Sequence, residues 1–172
     1  MENYENEFEG IFLARASFGK RLLNYIIDFI CFYIAFLALM ILYSLIDPEI
    51  FDTLSNIDNI IDRLITSVGF GIFAGVFEGL MKGRTPGKYL TGTLTVFDSG
   101  ERIDFMTGFK RGMIKAVPFV AFSALSSEPY PWQDRWTDTY VIDIKKTRAN
   151  SESRDIQEIG MKSDVTEEPL SY

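Results

Sequence analysis

Three polar residues open the longest apolar run of this chain: Arg21, Asn24 and Asp28. Their i, i+3 and i+7 spacing puts them on one helix face, with Asp28 about 10 Å beyond Arg21 along the axis. A carboxylate carried into a bilayer costs about 2.5–3.5 kcal/mol near the centre unless it is paired or protonated. A guanidinium can answer it from headgroup level, because its long stem lies along apolar surface. Glu78 lies near the end of a second apolar run and, counted back from Lys82, reaches a depth similar to that of Asn24. Two carboxylates and one arginine then converge between two helices. In the chemical reading Asp28 is the titrating or ion-binding group, Arg21 its charge partner and Glu78 a second carboxylate, whose closeness lets Asp28 hold a proton. In the structural reading the same residues form an ion pair that only locks the helices.

Composition removes the alternatives. There is no histidine among the 172 residues, so Ser–His and Cys–His nucleophile pairs and His-rich zinc sites are absent. Cys31 is the single cysteine, which excludes an intrachain disulfide and a thiolate metal cluster. A net charge of −7, from 17 Lys and Arg against 24 Asp and Glu, argues against a nucleic-acid partner. Gly83-Arg84-Thr85-Pro86-Gly87-Lys88 imitates a phosphate loop, but Lys82 stands where the first glycine belongs and Tyr89 where Ser or Thr belongs. No cofactor, metal or catalytic role is expected. Asp28 with Glu78 imitates a carboxylate dyad without any accompanying motif.

The elements that position these residues are oily. From Leu22 to Ile46, 22 of 25 residues are apolar. As a helix the run spans about 37 Å, beyond the roughly 30 Å of a hydrocarbon core. It is too long for a signal-peptide core, and a chain of this size cannot easily bury it. The second run, Leu64–Met81, has Glu78 as its single ionisable residue. Ser67, Gly71, Gly75, Gly79 and Gly83 recur every four residues and offer a close-approach face. That face packs against the first span or forms a homodimer seam. A third stretch, about 109–126, carries Lys115 and Pro118 and suits a re-entrant or interfacial helix. Lys115 and Arg111, spaced i, i+4, are expected to snorkel to lipid phosphates. Tyr130, Trp132 and Trp136 suit a membrane–water boundary.

Charge sets the orientation. Arg15, Lys20 and Arg21 precede the first span, and Lys82, Arg84, Lys88, Arg102, Lys110 and Arg111 follow the second. The loop between holds Asp47, Glu49, Asp52, Asp58 and Asp62 against one arginine, Arg63. The positive-inside rule puts both termini in the cytoplasm. Strands are expected at about 91–97 and 139–145, with a short return near Arg102 and Ile103, giving a small cytoplasmic sheet. The fold is thus mainly α: an integral membrane protein with two transmembrane helices, a third re-entrant or interfacial helix and that sheet. Residues 1–13 read as an N-terminal tail, 14–146 as the membrane domain, and 147–172 as a disordered acidic tail.

These pieces resemble the RDD family of membrane proteins. The resemblance rests on Arg21 opening the first span with Asp28 inside it, the Gly83–Lys88 loop with Gly92 beyond, Arg111, and Gln133-Asp134-Arg135-Trp136 followed by Thr139. It covers roughly Ala14 to Ile144. The family is named for one arginine and two aspartates, which by resemblance are Arg21, Asp28 and Asp134. Asp138 departs from it, standing where the family usually has a small residue. The resemblance implies transport of an unidentified ligand, or exchange coupled to a proton or sodium. Asp134 would tie the C-terminal segment to Lys88 or Arg84. Two spans make a poor channel, so a homo-oligomer through the glycine face is expected in the lipid bilayer of a prokaryotic cell membrane. The rival expectation is a membrane-anchored scaffold or assembly factor without transport.

Overall fold

Both apolar runs form single continuous helices in the computed structural model: α1 (Phe18–Ser44) and α2 (Asn59–Leu80). The structure describes residues 8, 12–51, 56–117 and 132–166. The other elements are α3 (Pro86–Thr91), β1 (Thr93–Phe97), α4 (Phe105–Lys115), α5 (Trp132–Arg135), β2 (Thr139–Asp143) and α6 (Ile144–Thr166). Side chains fix the helix starts. The Ser17 hydroxyl accepts from Lys20 N at the head of α1, and the Asp58 carboxylate accepts from Ile60 N at 2.8 Å at the head of α2.

Burial in α1 is inside out. Asn24, Asp28 and Phe32 face inward at i, i+4 and i+8, while Leu23, Ile26, Ile30, Ile34 and Leu37 are exposed. A helix in water would reverse that order. Both α1 and α2 are long and apolar enough to cross a bilayer, and together the two features point to a membrane location. The helices meet through aromatic rings: Phe32 lies 5.7 Å, centroid to centroid, from both Phe70 and Phe73.

The glycine face does not seat α1. α4 fills it. A side chain at Gly71 would meet Ala116 and the Gly112 carbonyl, one at Gly75 the backbone of Phe109, and one at Gly79 the carbonyl of Phe105. The reason is that α4 brings two small residues of its own, Gly108 and Gly112, so backbone meets backbone. Ser67 Oγ closes the contact by donating to Ala116 O at 2.7 Å. Gly83 leaves the stripe. It lies past the helix end at φ +98, and its carbonyl accepts from Thr95 N. An oligomer built on this face would have to displace α4.

β1 and β2 pair antiparallel, from Thr93 opposite Asp143 to Phe97 opposite Thr139. The expected return strand is reduced to one bridge between Val96 and Arg102. An unexpected partner comes from ahead of α1. Ala16 N donates to Val141 O at 2.8 Å and Asp143 N to Ala14 O at 2.9 Å. Phe8 packs against Leu94, Val96 and Ile142. The N-terminal segment therefore contributes to the sheet core, which sits where α1 begins and α2 ends. Beyond β2 the chain continues as α6 through Thr166 rather than as an irregular tail. Lys145 to Ile159 contains no Gly or Pro, and Arg148 and Glu152 stand i, i+4. Residues 118–131, which hold the end of the third stretch with Pro118 and also Tyr130, and residues 167–172 lie outside the described residues.

Lys20 and Asp143 clamp the sheet to the first turn of α1, Nζ to Oδ2 at 2.8 Å. Burial raises the carboxyl's affinity for a proton, but the Lys20 hydrogen bond, the Lys146 N–H and the charges of both lysines together outweigh it and hold Asp143 below the usual carboxylate range. A folded pKa below the unfolded one means the pair stabilises at neutral pH and is lost as pH falls through the lowered value. Because Lys20 is one-third exposed, Asp143→Asn should cost no more than about 1 kcal/mol at pH 7. Unfolding curves of the two proteins in detergent should converge as the pH drops below 4. A gap unchanged by pH would assign the loss to something other than the ion pair.

Candidate functional site

α4 is pressed close to α2 by the glycine contacts, and this brings Arg111 and Lys115, one turn apart, onto Glu78. The Glu78 carboxylate is fully buried. Its Oε1 accepts from Arg111 Nε at 2.7 Å, Lys88 Nζ at 2.6 Å and Thr95 Oγ1 at 3.0 Å, and its Oε2 from Lys115 Nζ at 3.1 Å. Lys88 comes from α3, whose N-cap is Thr85, and it also donates to Thr95 Oγ1 at 2.5 Å. Burial pushes the Lys88 ammonium down to about 8, against the pull of Glu78.

Arg111 is fully buried and spans two carboxylates. Its Nη2 donates to Asp134 Oδ1 at 2.7 Å, and its Nη1 donates to the hydroxyls of Thr137 and Thr139. Asp134 Oδ2 accepts from Arg21 Nη1 at 3.4 Å, and Arg21 Nε donates to Ala16 O at 3.1 Å. One chain of charges thus runs from α2 through α4 and α5 to the head of α1.

Asp28 stands outside that chain. Its Oδ1 accepts from the backbone N–H of Gly87 at 2.7 Å, and no cation pairs with it among the described residues. Asn24 meets the hydroxyls of Thr91 and Thr93 one turn before it. Gly87 is required there, because a side chain would run into the backbone of Asn24. α3 therefore lies directly against the polar face of α1.

Several expectations are corrected by this geometry. Arg21 turns back to Asp134 and does not answer Asp28, whose two-turn separation along α1 is bridged instead by α3. Glu78 does not join Asp28, because three cations from α3 and α4 surround it. Asp134 binds Arg111 and Arg21 rather than Lys88 or Arg84. Lys115 serves Glu78 rather than lipid phosphate. Arg84 lies apart from the network, its Cζ 5.8 Å from the Tyr89 ring centroid. Thr95 and Thr137 escaped the sequence reading, and Thr139 entered it only through the family resemblance. A signal existed for Thr95: Thr93 and Thr95 stand two apart in a buried strand, which puts their hydroxyls on one face.

The network can hold charge in a fixed arrangement, with Arg21, Lys88, Arg111 and Lys115 against Glu78 and Asp134. Among the described residues no group of three or more Cys, Asp or Glu is placed to hold a metal ion. Asp138, the departure noted above, adopts φ 48, a left-handed conformation that aspartate tolerates better than most side chains. No curated protein and no solved structure matches the chain. A family model described as the RDD family matches residues 15–138, most of the length and all of the charge network. The chain belongs to the RDD family.

Proposed function

We propose that this is a multi-pass transport protein of the prokaryotic cell membrane in which Asp28 takes up and releases a proton or a monovalent cation. One observation carries the reading: Asp28 is 2% exposed, lies within a span and is held by a backbone N–H with no countercharge among the described residues. A carboxylate so placed can meet a proton or a cation without first giving up a guanidinium. Glu78 and Asp134, each held by cations, serve as the frame. The Lys and Arg distribution supports cytoplasmic termini and a cytoplasmic sheet. With α4 on the glycine stripe, copies of the chain would associate through the exposed apolar surface of α1.

In liposomes loaded with a pH dye, wild type is expected to pass protons or sodium and Asp28→Asn to fall to the level of empty liposomes. Equal flux from both would remove Asp28 from the mechanism. The scaffold reading draws on the same frame, since a fully cation-locked Glu78 suits a rigid junction. It would be favoured by absent flux in every form together with a lower folded yield for Asp28→Asn.

A further inference from the structure

We propose that Arg84 and Arg102 bind a phosphate-bearing anion on the β1 edge opposite β2, a site separate from Asp28 and its frame. Thr95 N donates to Gly83 O and Phe97 N to Glu101 O, so the two loops lie side by side along β1, about 7 Å apart. Arg84 and Arg102 each follow one of these carbonyls directly. Both carry a buried Nε with no acceptor, and neither pairs with a carboxylate among the described residues. That sets them apart from Lys20, Arg21, Lys88, Arg111 and Lys115, each of which has an acidic partner. Asp104, the nearest acid after Arg102, is spent on capping α4 through Thr107 N.

A guanidinium with an unanswered Nε suits side-on, two-pronged binding of a phosphoryl group, reached by a turn about the last side-chain torsions. Leaving such donors unanswered is costly, so an anion would stabilise the fold. The position fits headgroup depth. Arg84 follows the end of α2 by four residues, and the exposed Tyr89 and Leu90 flank it on α3. The phosphate belongs either to a lipid headgroup or to a soluble ion.

Thermal unfolding of the full chain in nanodiscs separates these sources. Wild type should unfold about 5 °C higher in phosphatidylglycerol than in phosphatidylcholine. The R84Q/R102Q variant should lose that rise, and R84K/R102K, which keeps charge without the fork, should lose most of it. An equal rise from inorganic phosphate in phosphatidylcholine nanodiscs would support the site and assign it to a soluble anion. R84Q alone gives a partial loss if the double variant folds poorly. A lipid response identical in wild type and R84Q, or no response of wild type to either probe, overturns the proposal.

Discussion

Replacing Arg111 with methionine is expected to cost about 3–5 kcal/mol, the largest loss of any single change in the charge network. Methionine keeps most of the stem but removes the group that Glu78 and Asp134 share. Two buried carboxylates then lose the cation between them and repel each other across the gap. Lys88 and Lys115 still face Glu78, but among the described residues Asp134 retains only the longer contact to Arg21 as an ion pair. Thr137 and Thr139 also lose their shared donor. Arg111→Lys restores the charge without the fork, so it should recover only part of the loss. Equilibrium unfolding in detergent micelles measures all three proteins. Combining Arg111→Met with Glu78→Gln should cost less than the sum of the single changes, because the stranded charge is gone. Methionine within about 0.5 kcal/mol of wild type would mean the network does not hold the helices.

The spans were legible because they depend on composition alone: 22 apolar residues in 25 leave few other places for the chain to go. The sheet was legible from the β-branched residues of 91–97 and 139–145, within which the strands run Thr93–Phe97 and Thr139–Asp143. Pairing within the site was not. Spacing along α1 puts Arg21, Asn24 and Asp28 on one face, but it does not say which partner arrives from elsewhere. α3 reaches Asp28 because Gly87 lets two backbones touch, and α4 reaches Glu78 because glycines face glycines. Those are long-range packing facts, and no local period encodes them. Arg111 read as a headgroup anchor for the same reason. A cation on a short amphipathic helix looks interfacial until the helix is seated against a second small-residue face.

That seating gives the second large effect. Gly112→Ala is expected to pry α4 from α2, costing about 3 kcal/mol or more. An added methyl at residue 112 would overlap the backbone of Gly75 and come within 2.5 Å of Gly71 O. Neither neighbour is a flexible side chain that can step aside. The helices must separate, and Arg111, adjacent in sequence, must then stretch away from Glu78. The substitution should therefore also erase the coupling between Arg111 and Glu78 seen in the double-variant comparison, which a merely local strain would leave intact. Gly19→Ala is the control. Nothing lies within 4 Å of that position, and alanine is the better helix former, so a gain of up to about 1 kcal/mol is expected. Unfolding in detergent would show the two glycines moving stability in opposite directions. If Gly112→Ala instead matched the control, close backbone contact could not be what sets the distance across the charge network, and the ion pairs would have to position the helices by themselves.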